Sequence, residues 1–317
     1  MNNIEKKNEL KSIIDRSLFP IINKKCILLD APYYHNIGDV LIWKGEMTFL
    51  AEHNIQCQYI ASYETCDFPK ITEDTTILFN GGGNLGDIYH EHMDFLLKIV
   101  QYYPNNRAII LPQTVYYADK LRMENDFRLL KRHKDLYFCA RDKVTYEMLF
   151  GYFGTSTFLL PDMAFCISRE DLHEYMRKET KYKLIIERRD CESLNKIRNL
   201  SDGDISDWPT FEHSFHNTTF LNKILKRISD AHIPFVTKYA NRFWNYYFVH
   251  CFSEMMFKEG IRFISPYRLI ETTRLHGCIL SILLDKEIVL IDNSYGKNSH
   301  FYDTWLYDLD NVTLKLG

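Results

Sequence analysis

Nowhere in the 317 residues does an apolar run approach the 18 or more needed to cross a bilayer, and the opening MNNIEKKNELK lacks the apolar centre of a signal peptide. A membrane-spanning or secreted chain is therefore not expected, and the reading places the protein in the cytoplasm. Nor is one sign of charge in excess. Lys and Arg number 39 against 42 Asp and Glu, a formal net of -3, so no global basic field exists, nucleic acid is not expected as a partner, and any anion site must be local. The eight cysteines never form a C-x-x-C pair, and several sit inside apolar segments such as KKCILLDAP and LYFCARD. That is the usage of reduced, buried thiols, not of a disulfide or zinc framework. Also missing are G-x-x-x-x-G-K-[ST] and G-x-S-x-G, which removes the sequence signatures of nucleotide-phosphate binding by a P-loop and of the nucleophile elbow.

What is present is globular: 46% hydrophobic and 26% charged residues, in a chain longer than one hydrophobic core usually serves. Short apolar β-rich runs alternate with helical patterns. KCILLDAP (25–32), QYIAS (58–62), TTILFNGGG (75–83), RAIILPQTV (107–115), LYFCARD (136–142) and TFLLPDMAF (157–165) read as strands. Near-continuous apolar strands separated by helices imply a parallel sheet covered on both faces, the doubly wound α/β arrangement. A charged stretch at 168–182 separates this half from a second one. There YKLIIERRD, IPFVTKYA, IRFISP and KEIVLIDNS read as strands, while FLNKILKRISDAH, NRFWNYYFVHCFSEMMFKEG and TRLHGCILSILL read as helices. The expectation is two Rossmann-like domains, 1–172 and 173–317, facing a crevice, with the C-terminal tail returning to the first. Ligands bind such sheets in the loops that follow the strands.

Those loops carry the candidate chemistry. YYHNIGD (33–39) ends in Asp39, a good helix N-cap, and NGGGNLGD (80–87) has glycines through which a backbone can approach a ligand and hold an anion with its N–H groups. Asn36, Gly38, Asp39, Gly82, Gly83 and Asn84 are the candidate contacts, although a plain tight turn accounts for the same glycines equally well. ERRDCE (187–192) puts Arg188 and Arg189 at a strand end, where alternate residues point to opposite faces and only one of the two can enter the crevice. A solvated surface pair is the alternative.

Arg274 and His276 stand before the apolar helix GCILSILL. Residues two apart on a helix do not share a face, so both serve one site only if Arg274 precedes the helix and His276 sits in its first turn, with Thr272 or Thr273 as cap. The helix N-terminus then adds partial positive charge beside the arginine. A satisfied histidine and a surface arginine at a buried helix start is the competing reading. HEH (90–92) and EHSFH (212–216) match no zinc spacing, so no metal site is expected, and these histidines read as solvated or helix-terminal. Asp202, Asp204 and Asp207 read as a solvated acidic loop within a long polar segment, 190–216, that fits a lid.

Taken in order, HNIGDVLIWKG (35–45), NGGGNLGDIY (80–89), LPQTV (111–115), ARD (140–142), LPDMAF (160–165), ERRDCE (187–192), RLHGCILSILL (274–284) and IDNSYGKNSHFYDTW (291–305) resemble the polysaccharide pyruvyl transferase family. That resemblance implies a glycosyltransferase-B-like pair of Rossmann-type domains, the first on the acceptor side and the second on the phosphoenolpyruvate side. It implies transfer of the enolpyruvyl unit of phosphoenolpyruvate to a sugar, closure of a pyruvate ketal and release of phosphate, with no nucleotide and no redox cofactor. In the family the Arg-Leu-His element lies at the donor site, which points to Arg274, Leu275 and His276, with Gly277 in the same helix turn. The family's Leu-Arg-x-Asp-x-Glu pattern favours Arg188 over Arg189, since Asp190 and Glu192 match and only Glu187 departs from it. His276 is then the expected acid that protonates the enol methylene, and Asp39 the group that orients or deprotonates an acceptor hydroxyl. A capsular or exopolysaccharide sugar, or its polyprenyl-linked oligosaccharide, is the implied acceptor, with peripheral contact at the inner membrane face. A nucleotide-sugar glycosyltransferase and a non-catalytic sugar-binding protein share the same expected fold.

Overall fold

The computed structural model describes residues 1–187, 203–209, 227, 234–292 and 296–315. Two sheets organise the chain. The first contains β1 (Lys25–Leu29), β2 (Gln56–Ala61), β3 (Thr75–Phe79), β4 (Gly82–Gly86), β5 (Ala108–Tyr116), β6 (Leu136–Ala140) and β7 (Thr157–Leu159), in the order β2-β1-β3-β5-β6-β7 with β4 paired to β5. The second contains β8 (Lys181–Ile186), β9 (Asp204–Ser206), β10 (Tyr267–Thr272), β11 (Glu287–Ile291) and β12 (Val312–Lys315), in the order β12-β11-β10-β8-β9. Every pairing is parallel. The fold is thus α/β, with two Rossmann-like halves.

Side-chain alternation along the strands explains the layers. Ile27 and Leu29 of β1 join Ile77, Phe79 and Ile110 in one core, whereas Cys26 and Leu28 join Leu78, Ile109 and Leu111 in another. The second of these cores does not stop at the first sheet. It continues through Ile37 and Leu41 to Leu184, Ile186, Ile270 and Leu290 of the second sheet, so one apolar body joins the two halves. The chain ends brace the same junction. Lys6, in the helix Asn3–Leu18, pairs with Asp308 at 2.9 Å, and Trp305 donates its indole N–H to the Arg141 carbonyl at 2.7 Å.

Strand order also places the ligand loops. In the first sheet the chain leaves β1 for β2 on one side and returns to β3 on the other; in the second, β9 and β10 flank β8 in the same way. Each reversal opens a crevice at the strand C-terminal ends. The loops there are those after β1 and β3, and those after β8 and β10.

Two strand expectations fail. Of the strand expected at 233–240, residues 234–240 belong to the helix Pro234–Tyr247, which runs through a π-turn at Phe248–Phe252 into a further helix, Ser253–Ile264. A proline is well placed to open a helix, because the first helical N–H has no partner to lose. IRFISP likewise ends that last helix: Phe257, Ile261 and Ile264 are buried at spacings of four and three, and the strand begins only after Pro266, at Tyr267. The glycine-rich segment after β3 is not a plain turn either, since Gly82–Gly86 forms β4 against β5, with φ of 135° at Gly82 and 132° at Gly86. The expected helix at 220–232, apart from residue 227, lies outside the described residues, as does most of the expected lid at 190–216.

Candidate active site

One cleft lies where the two sets of loops meet. Asn36 and Asp39 come from the start of the helix Ile37–Glu52, Gly83 and Asn84 from β4, Tyr89 from just beyond it, and Arg141 from the end of β6. The opposite wall is Trp208 after β9, Arg274, Leu275 and His276 at the start of the helix Leu275–Leu283, and Lys297 and Asn298 of the helix Lys297–Phe301. Asn36, Asp39, Gly83, Asn84, Arg274, Leu275 and His276, singled out in the sequence, therefore share this cleft. Arg188 lies outside the described residues.

Three expected contacts take other roles. Gly277 does not line the cleft; a Cβ there would lie 2.5 Å from the Thr272 hydroxyl, so its bare Cα lets the helix pack on β10. Gly82 sits behind Asp39, whose carboxylate oxygen would be 3.7 Å from a Cβ. Gly38 meets His276 directly, since a Cβ on it would be 2.6 Å from the imidazole Nδ1. Two helix N-termini from different halves thus touch through a glycine and a histidine.

Arg274 is the N-cap of its helix, in extended conformation, and no side chain caps the first turn. The expected threonine cap is displaced by two residues: the Thr272 hydroxyl accepts the Arg274 N–H at 3.0 Å and leaves the N–H groups of the helix start uncapped by any side chain. Such groups, with the helix dipole, favour an anion. Asn298 braces the segment by donating to the carbonyls of Thr273 at 2.9 Å and Ile291 at 2.7 Å. The Arg274 guanidinium makes a bidentate pair with Asp207, Nε to Oδ1 at 2.5 Å and Nη2 to Oδ2 at 2.7 Å. The acidic run is therefore not simply solvated: Asp207 faces the cleft arginine, and Asp204 bonds Lys181 and Tyr267, both at 2.6 Å.

The His276 Nε2 lies 3.2 Å from Asp162 Oδ2, and that carboxylate also accepts from Arg141 Nη1 at 2.8 Å. Burial pushes the Asp162 carboxyl up, but His276, Arg141 and the Ala164 N–H outweigh it and hold it well below the usual carboxylate range. Asp162 is thus an anion locked under the histidine. Arg141 is itself buried, spends Nε on the Thr114 hydroxyl at 2.9 Å, and has an Nη2 with no hydrogen-bond partner. That Nη2 and the Lys297 Nζ converge on the bare Cα of Gly83, at 2.9 Å and 2.6 Å from where a Cβ would stand.

On the wall formed by the first sheet, Asp39 Oδ2 accepts from Asn36 Nδ2 at 2.7 Å, and Asn84 donates to the Tyr34 hydroxyl at 2.7 Å. Behind them His92 is buried and paired with Asp30 at 2.7 Å, so it is helix-terminal but not solvated. Asp30 adopts a left-handed φ of 64° directly after β1, an uncommon conformation for a non-glycine residue. Among the described residues no cluster of three or more His, Cys, Asp or Glu side chains is arranged to hold a metal ion.

Arg141, Asp162, Lys297 and Asp207 were not singled out from the sequence as site residues. A signal existed for the first two: each is a charged residue following a strand end, in ARD and LPDMAF. Lys297 lies within the motif at 291–305, and no local pattern announces Asp207.

Comparisons with known proteins bear on the family and the fold. The chain is 33% identical to EpsO of Bacillus subtilis (strain 168), provisionally named a pyruvyl transferase, over 98% of this chain and 94% of that one. It is 25% identical to Pyruvyl transferase 1 of Schizosaccharomyces pombe (strain 972 / ATCC 24843), over 92% of this chain and 72% of the relative. An uncharacterized Klebsiella pneumoniae protein of known crystal structure superposes with a TM-score of 0.62 at 20% identity, covering 98% of both chains, which establishes the shared fold. The sequence model described as polysaccharide pyruvyl transferase matches residues 36–295, a span that holds every described cleft residue except Lys297 and Asn298, and the chain belongs to that family.

Proposed function

We propose that this protein transfers the enolpyruvyl group of phosphoenolpyruvate to a sugar hydroxyl of a polysaccharide precursor, closes a pyruvate ketal across a second hydroxyl and releases inorganic phosphate. The observation that carries the reading is the convergence of Arg141 Nη2, Lys297 and an uncapped helix start on one cleft beside His276. A donor with both a phosphate and a carboxylate needs several such groups, and an unpaired buried guanidinium N–H is costly unless an anion meets it. Arg274 offers a second fork at the same cleft, and its bidentate pairing with Asp207 supports a role in binding a carboxylate.

In this reading His276 delivers a proton to the methylene carbon, C2 becomes electrophilic, and the acceptor hydroxyl adds there. Asp162 orients the imidazole and balances its charge when protonated. Asp39 takes the hydroxyl proton; it follows Gly38, the residue in contact with His276, so acid and base lie on adjoining walls. Phosphate leaves as the second hydroxyl closes the ring. The site chemistry asks for no nucleotide and no redox cofactor. Capsular or exopolysaccharide repeat units, free or on a polyprenyl carrier, are the acceptor class to test.

Phosphate release from phosphoenolpyruvate should depend on an acceptor sugar, with the ketal visible as a new methyl resonance in the product. Turnover of a nucleotide sugar without phosphoenolpyruvate would replace this reading by glycosyl transfer. Binding of sugars with no turnover of either donor would leave a binding protein.

A further inference from the structure

We propose that a second cavity, remote from the cleft, binds a phosphate monoester carried on an aliphatic chain. It encloses about 510 Å³ between the N-terminal helix, the short helix Arg169–His173 and the C-terminal end of the helix Leu275–Leu283. That volume is in the range of small-molecule sites, about 300–1,000 Å³. The helix that presents His276 at the cleft ends here at Leu283, seven residues on and roughly 11 Å away at the α-helical rise.

The lining has two characters. Leu172, Ile282 and Leu284, almost fully buried, share the lining with Met176 and give it an apolar floor. The remaining charge is unbalanced: Lys7, Arg169, Arg177 and Lys286 stand against Glu179 and Asp285, an excess of two positive charges. Both acids are occupied, Glu179 by Lys286 at 3.1 Å and Asp285 by Asn3 Nδ2 at 2.9 Å. Neither the Lys7 ammonium nor the Arg177 guanidinium makes a hydrogen bond or ion pair among the described residues. Burial, and then the neighbouring Lys11, lower the Lys7 pKa, against the weaker pull of Glu170. A phosphate monoester dianion supplies the two charges the rim lacks and suits an arginine fork, whereas a carboxylate supplies one. The apolar floor asks for a hydrocarbon tail, which free phosphate does not have.

Octyl phosphate, below its micellar concentration, is the direct probe, titrated calorimetrically against the full chain beside inorganic phosphate and octyl glucoside. The expected result is saturable 1:1 binding of octyl phosphate at least tenfold tighter than either control. It should weaken at least tenfold in the rim double variant K7E/R177E with an unchanged melting curve, and persist in Arg274→Ala. Binding no tighter than that of inorganic phosphate would remove the hydrocarbon subsite and overturn the proposal. So would binding that survives K7E/R177E, or that is lost in Arg274→Ala, which would send the probe to the cleft.

Discussion

His276 and Asp162 stand 114 residues apart in the chain and 3.2 Å apart in the fold, with Arg141 on the same carboxylate oxygen. In the proposed reaction His276 acts by proton transfer, so its loss should be kinetic. His276→Gln keeps size and hydrogen bonding, so we expect a nearly unchanged melting temperature, retained binding of phosphoenolpyruvate by calorimetry, and turnover at least about a hundredfold lower, roughly 3 kcal/mol in the barrier. Near-normal turnover would return His276 to a packing role. Arg274 should differ in kind. Arg274→Ala removes a charge-assisted fork of about 1.5–3 kcal/mol, raising the donor concentration for half-saturation by tenfold or more, and lysine should rescue poorly. Unchanged donor saturation in the alanine variant would take Arg274 out of the donor site.

Among elements, the decisive contact is between two helix N-termini. Gly38 and Gly45 lie in the same helix, Ile37–Glu52, but face different neighbours: the first the His276 ring, the second the Met163 backbone carbonyl, 1.9 Å from where a Cβ would be. Alanine at position 38 is compatible with the helix, so Gly38→Ala should leave unfolding almost untouched while cutting turnover by displacing the imidazole. Gly45→Ala forces backbone apart and should lower stability by at least about 2 kcal/mol in denaturant titrations. If both variants only destabilise, the Gly38–His276 contact is packing alone. Element identity was readable where the apolar period was unambiguous, as in β1, β3 and β5, buried along nearly their whole length. It was misread at 233–240 and 261–266, where short aromatic and β-branched runs suit a strand or a buried helix face equally. At 261–266 the burial of Ile261 and Ile264 on one helix face overrode local propensity.

At the scale of the whole molecule, pH should act on stability from two sides. Burial lowers the His92 pKa, but the hydrogen bond to Asp30 and the charges of Asp30, Asp39 and Glu91 more than offset it, so the net shift is upward. A raised folded pKa contributes stability that is complete below the unfolded value near 6.5 and is lost as pH climbs through the folded value. Asp162 is the opposite case: its depressed pKa contributes stability present above about 3.9 and lost as pH falls further. Melting temperature should therefore decline on both flanks, and His92→Gln should flatten the alkaline flank alone; an unchanged slope there would show that the His92–Asp30 pair does not set it. Because one apolar core spans both sheets, chemical denaturation should give one transition by fluorescence and circular dichroism together. Two separated transitions would mean that the halves hold their own stability.

By itself the sequence determined the alternation of strands and helices, the placement of glycine, asparagine and arginine clusters at strand ends, and, through ordered motifs, the family. These follow from local physics: apolar period and turn chemistry act over a few residues, and a strand's C-terminal loop is a ligand loop in any doubly wound sheet. Only the tertiary structure decided which strand ends meet. It set Arg141 and Asp162 beneath His276, brought Lys297 to Gly83, and gave Arg274 to Asp207, pairings between residues far apart in the chain. Charge and close approach are properties of the assembled cleft, where burial makes a carboxylate or a guanidinium matter, and no local window of sequence carries that information.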